Sequence, residues 1–94
     1  MRYTGPELKV GVEYEFVTEE NWGNHLDRFI YHVLFCEENG KVRFYFQSKL
    51  HDGFIKTSVI RKDASSCLFA CFSGCKRRRY YINNIECFFE SDKH

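Results

Sequence analysis

A chain of 94 residues with 29% charged side chains and a formal net charge of +1 has room for one hydrophobic core and not for two. That balance excludes the disordered class and a uniformly basic nucleic-acid coat protein, so any functional charge has to be local. Ten Phe and six Tyr allow a domain of this size to bury a large area at low rotamer cost, without disulfide staples.

No run approaches the roughly twenty apolar residues that a spanning helix needs. The stretch Met1 to Pro6 lacks the apolar segment of a secretory signal, and a cytosolic protein without membrane contact is expected. Five cysteines, an odd number in a chain with ample aromatic core, read as reduced thiols. With no repeat, no linker and Pro6 as the only proline, residues 1–94 read as one domain, with 1–9 and 91–94 as flexible ends.

In chain order, Val10, Val12, Tyr14 and Phe16 alternate with Gly11, Glu13 and Glu15, which predicts a strand with one wet face. Thr18 to Asp27, with Asn21, Gly23, Asn24 and Asp27, reads as a loop, anchored by Trp22 in the core. Phe29 to Cys36 is apolar on both parities except at His32, as a central strand covered on both faces would be, with His32 a hydrogen-bonded strand residue. Asn39-Gly40 favours a tight hairpin, leading into a strand with Val42, Phe44 and Phe46 on one side and Lys41, Arg43, Tyr45 and Gln47 on the other.

Asp52-Gly53 is a second hairpin signal, followed by alternation through Ile55, Thr57 and Val59 up to Arg61. Asp63-Ala64-Ser65-Ser66 either turns the chain or caps a helix. Leu68, Cys71, Phe72 and Cys75 fit a helical stripe, but a strand over Cys67 to Phe72 is the preferred reading. Tyr80 and Ile82 share one parity and Ile85, Cys87 and Phe89 the other, which puts a bulge or tight turn at Asn83-Asn84. The expected fold is mainly β: a small antiparallel SH3-like or Sm-like barrel of five to six strands with room for one short helix. An open sheet with one helix is the alternative.

Ser66-Cys67-Leu68-Phe69-Ala70, followed by Arg78, Tyr80, Ile82 and Ile85, resembles the WYL domain, an Sm-like domain of bacterial and phage regulatory proteins. In that family a strand beginning Trp-Tyr-Leu precedes a turn and a strand that opens with Arg. Ser66 and Cys67 stand where the family has its Trp and Tyr, and residues 1–39 have no counterpart. The resemblance implies a regulatory binding domain that receives a nucleic acid or an anionic small ligand, and Arg78 is the position it carries over well.

The densest charge feature is Lys76-Arg77-Arg78-Arg79-Tyr80-Tyr81. Adjacent cations attract phosphates, Arg adds bidentate contacts, and Tyr rings offer stacking surface for unpaired bases. Arg43 and Tyr45 are candidates to extend this surface, within a wider set of Lys41, Lys49, Lys56, Arg61 and Lys62. A charged turn that keeps a sheet edge soluble explains the same run. Cys67, Cys71 and Cys75 recur at helical spacing, with Cys87 or His51 as a fourth metal ligand, yet no second ligand pair exists and buried apolar thiols are the better reading.

Pairings of a Cys with His25, His32 or His51 carry no more than chance weight, and no phosphate loop, nucleophile elbow or carboxylate pair occurs, so neither an enzyme nor a cofactor is expected. Glu13, Glu15, Glu19 and Glu20 read as a solvated strand face before a docking surface. The first functional expectation is therefore a non-enzymatic regulatory module contacting nucleic acid, single strands favoured. The second is a protein-interaction or inhibitor domain, such as a phage-encoded modulator of a host protein, using exposed aromatics or a free sheet edge.

Overall fold

The computed structural model describes residues 2–72 and 78–90. Seven antiparallel strands form one curled, half-barrel sheet around a single helix. They are β1 (Arg2–Thr4), β2 (Glu13–Trp22), β3 (His25–Glu38), β4 (Lys41–Gln47), β5 (Ile55–Arg61), β6 (Arg78–Ile82) and β7 (Ile85–Glu90), with helix α1 (Ala64–Phe72) between β5 and β6. The spatial order is β1-β7-β6-β2-β3-β4-β5. The mainly β, small barrel-like fold anticipated from alternation is present, with one helix, but with seven strands where five to six were expected, because residues 2–4 add an edge strand.

Cross-strand partners share a face, so the register divides the sheet into an inner and an outer surface. Phe16 lies opposite Tyr31 and Ile82, and Phe35 opposite Phe44. Their inner face buries Phe16, Val33, Phe35, Phe44 and Ile82 completely or nearly so. Val17, Glu19, Arg28, Ile30, Arg43, Tyr45, Arg79 and Tyr81 share the other parity and form the outer face.

Two turns are of the kind their sequences favour. Asn39 and Gly40 have φ of 53° and 77°, and Asn83 and Asn84 of 49° and 68°; paired positive φ values match the twist of two-residue hairpins. Asn83 also accepts from Glu15 N through Oδ1 at 3.0 Å and donates its own N–H to Glu15 O at 2.9 Å, tying the β6–β7 turn to β2. Asp52-Gly53 does not make a two-residue hairpin; it lies within a longer connection from Ser48 to Phe54.

Phe29 and Ile30, expected under cover on both faces of a central strand, are 44% and 38% exposed, and four further stretches depart from the sequence reading. Val10 to Val12 precede the strand, which begins at Glu13. Thr18 to Asp27 is not a loop: β2 and β3 pair continuously to Trp22 opposite His25. Gly23, with φ of 64°, supplies the Gly-first geometry of a two-residue turn, so strand residues run unbroken to its edge. Residues 2–4, read as part of a flexible end, pair with β7, and Tyr3 packs on Phe89 with ring centroids 5.2 Å apart.

The fourth correction is the strand expected over Cys67 to Phe72, which is α1. Asp63 caps it: Oδ1 accepts from Ser66 N at 2.7 Å, and the Asp63 carbonyl accepts from Cys67 N at 3.1 Å. Ala64, Cys67 and Leu68 are buried and Cys71 and Phe72 half-buried, the spacing of one helical face. Phe72 closes the half-barrel against Phe16 at 4.7 Å, Tyr31 at 5.8 Å and Phe44 at 6.0 Å between centroids. Of the residues that carry the WYL resemblance, Ser66 to Ala70 lie on this helix, Arg78, Tyr80 and Ile82 on β6, and Ile85 on β7.

Candidate functional site

The basic and aromatic run divides between environments. Lys76 and Arg77, and the side chain of Arg78, lie outside the described residues, and the Arg78 backbone stands opposite Glu20. Tyr80 is in the core, 9% exposed, its ring stacked on Phe16 and edge-on to Phe89. It therefore presents no open face to a base. Arg79 is exposed and Tyr81 half-buried on the outer face.

Arg43 and Tyr45 share that outer face but sit on β4, with β2 and β3 between them and β6. At about 4.8 Å per strand the two groups are roughly 14 Å apart across the sheet. The intervening β2 contributes Glu13, Glu15 and Glu19 to the same face. Arg79 stands opposite Glu19, and its guanidinium is held in the charged form by hydrogen bonding to Tyr81 and by nearby Glu86 and Glu19. Arg43 donates Nε to Glu38 at 2.9 Å and NH1 to the Thr57 carbonyl, and Tyr45 donates its hydroxyl to Glu38 at 2.9 Å. The Tyr45 hydrogen bond, then that of Arg43, holds the Glu38 carboxyl below its usual range, and the same bond pushes the Tyr45 hydroxyl up. Arg79 and Arg43 are thus each matched by a carboxylate on this face.

The remaining candidates are also placed. Cys67 and Cys87 are buried and Cys71 half-buried, and Cys75 lies outside the described residues. Burial pushes the Cys67 thiol up, that of Cys71 up to about 11 and that of Cys87 up to about 12, which disfavours the thiolate a metal or a nucleophile requires. Among the described residues no group of three His, Cys, Asp or Glu gathers around a common metal position. Of the acidic set, Glu20 is 8% exposed and accepts from Trp22 Nε1 at 3.2 Å, whereas His32 pairs through Nδ1 with Glu13 at 3.2 Å.

A site that no motif marks lies along β3. That strand has 14 residues and β4 only 7, and β4 pairs with His32–Glu38 alone. After Gln47 the chain turns away through Ser48, which accepts from Leu50 N at its Oγ (3.4 Å) and from His51 N at its carbonyl (3.2 Å). Residues 25–31 of β3 are therefore bound by β2 on one side and by no strand among the described residues on the other.

The direction of the backbone groups follows from the register. Glu15 exchanges both its N–H and its carbonyl with Asn83, so odd residues of β2 face β6 and even ones face β3. Opposite residues in an antiparallel pair either both face each other or both face away, and the even residues of β2 are matched by odd residues of β3. Leu26, Arg28 and Ile30 therefore direct N–H and C=O to the open edge. Around it stand Trp22 (64% exposed), Leu26 (58%), Phe29 (44%) and Leu50 (90%). Trp22 is thus a surface residue and not the core anchor expected from its size.

Two cavities flank this edge. One of about 280 Å³ runs between Arg28–Tyr31 and Ser48–Leu50. The other, of about 370 Å³, lies beside Ile30 and is lined by His32, Gln47, Lys49 and His51. A third concavity of about 570 Å³ at the hairpin end joins Glu19, Asn21, Leu26 and Arg79. Among the described residues no helix is long and apolar enough to cross a membrane. Against known proteins, the chain matches no family model, no curated protein and no solved structure.

Proposed function

We propose that this protein is a small, non-enzymatic, cytosolic interaction module that takes an extended segment of a partner protein as an added strand along residues 25–31 of β3. The supporting observation is the overhang of β3 past β4, which leaves three consecutive even residues with outward backbone groups beside exposed Phe29 and Leu50. Such an edge supplies main-chain hydrogen bonds, and alternate side-chain positions supply selectivity. Sheet proteins ordinarily shield long edges with short strands, Pro or a covering loop. The free thiols of Cys36, Cys67, Cys71 and Cys87 fit a reducing compartment.

Nucleic-acid contact through Arg79 and Tyr81, with Lys76, Arg77 and Arg78 adjoining, is the competing proposal. It draws on the density of cations in the run, and the carboxylates of β2 weigh against it.

A random heptapeptide library screened against the protein tests the edge. Arg28→Pro removes an outward N–H while leaving the β2 ladder intact, the position at which an edge strand tolerates proline. Peptides selected by the wild type are expected to lose binding to Arg28→Pro and to lose less of it with Arg28→Ala, which gives up the guanidinium but keeps the outward N–H. Equal binding to both variants overturns the reading. So does tight binding of labelled single-stranded DNA or RNA that falls steeply with salt and is lost in Arg79→Ala, which assigns function to the outer face of β6.

A further inference from the structure

We infer that the segment received on this edge is acidic, with carboxylates at alternate positions separated by an apolar residue. The inference rests on the strand-addition reading and names the chemistry of its partner. A strand laid against Leu26, Arg28 and Ile30 continues the line of β4, and its residues opposite Arg28 and Ile30 project on the outer face, as those two do. There the one opposite Ile30 meets the cavity of about 370 Å³ beside it, and the one opposite Arg28 meets the adjoining groove.

The cation of that cavity is Lys49, beside His32, His51 and Gln47, and the carboxylate nearest its lining, Glu13, is engaged by His32. Arg28 adds a guanidinium at the next position along the strand, on the wall of the adjoining groove. Its own ion pair with Glu19 is long, 3.7 Å between Nε and Oε1. His51 engages Ser48 through Nδ1 at 3.0 Å and His32 donates Nδ1 to Glu13 at 3.2 Å, so the positive charge offered along this edge is that of Lys49 and Arg28. Carboxylates placed here gain charge-assisted hydrogen bonds, and lysines there meet like charge.

The residue between the two acids takes the opposite parity and projects on the inner face, opposite Phe29, which is 44% exposed and adjoins Leu50. An apolar side chain there covers both, the alternation natural to a strand with two unlike faces. The occupant is thus an extended acidic–apolar–acidic segment.

The test uses three labelled heptapeptides titrated into the full chain by fluorescence anisotropy: one alternating Val and Glu, one alternating Val and Lys, and the Glu peptide N-methylated at its Glu amides, the ones opposite Arg28 and Ile30. The Glu peptide is expected to bind at least tenfold tighter than the Lys peptide, with the preference abolished or reversed in Lys49→Glu. Equal affinity for the Glu and Lys peptides overturns the acidic assignment and leaves strand addition standing. Undiminished binding of the N-methylated peptide, or no binding of any peptide, overturns strand addition itself. Concentration-dependent dimerisation of the free protein, lost in Arg28→Pro, assigns the edge to a second copy and overturns the proposal.

Discussion

Tyr80 lies nearly flat on Phe16, with ring centroids 5.7 Å apart and planes 14° from parallel, and its hydroxyl donates to the Phe72 carbonyl at 3.0 Å. One side chain thereby joins β6, β2 and the last turn of α1. Replacing Tyr80 by Phe keeps the stack and leaves the helix carbonyl without that donor, and is expected to lower stability by about 1 kcal/mol. Tyr80→Ala should cost roughly 3–5 kcal/mol. Urea denaturation followed by circular dichroism measures both.

Asp63 is expected to set the start of α1. Asp63→Ala should destabilise the protein by about 1 kcal/mol through loss of the bond to Ser66 N. Asp63→Asn, which retains a side-chain acceptor, should lose less. Amide exchange at Ser66 compares the two variants under native conditions.

Gly5 sits where the N-terminal segment crosses β7. A Cβ there would lie 2.6 Å from the Cys87 Cβ and 2.5 Å from the Tyr3 hydroxyl, and Tyr3 is itself fixed by donating to the Pro6 carbonyl at 2.7 Å. Gly5→Ala should therefore force a shift costing roughly 1–3 kcal/mol, in the range of overpacked cores. An unchanged denaturation midpoint would contradict this close approach.

Alkaline titration should weaken the fold in a defined window. Desolvation pushes the thiols of half-buried Cys71 and buried Cys87 up to about 11 and about 12, against an ordinary value of 9.0. Below pH 9 the thiol is protonated in both folded and unfolded chains, so its contribution is fully present. As pH rises from about 9 toward 12 the unfolded thiols lose protons that the folded ones retain, and stability falls. The decline should be shallower in Cys87→Ala when thermal midpoints are compared across that range.

Trp22 is the single tryptophan of the chain and is 64% exposed. The native protein should show the emission of a largely hydrated indole, shifting little on unfolding, and Trp22→Ser should lower stability by about 1 kcal/mol through loss of the bond to Glu20. Binding at the β3 edge is expected to change this emission, because residues 25–31 begin immediately past the turn.

The alternation of Val42, Phe44 and Phe46 and the Asn-Gly and Asn-Asn turns were legible in the sequence because local backbone preference and burial agree there. The β2–β3 hairpin was obscured by its composition. Asn21, Asn24 and Asp27 are turn formers by propensity, yet the Gly23-Asn24 pair was itself a hairpin signal. Trp22 defied its size because the turn carries it past the strands that would cover it. Helix α1 carries a strand-like run, Cys67-Leu68-Phe69, and only the Asp63 cap together with the spacing of Ala64, Leu68 and Cys71 separates the two readings. The free half of β3 leaves no mark in its own residues, because it arises from the difference in length between two strands.

The position of β6 between β7 and β2 has a consequence for synthesis. Strands β2 to β5 form a meander of neighbours in sequence and can pair as they emerge from the ribosome, with only short loops to close. The second side of β2 waits for Arg78–Ile82, so the backbone groups of Val17 and Glu19 stay unpaired toward β6, and Phe16 stays without Ile82 beside it, until more than half the chain has followed. A nascent chain stalled before β6 presents this apolar edge to the cell, and chaperone demand should drop once β6 and β7 dock.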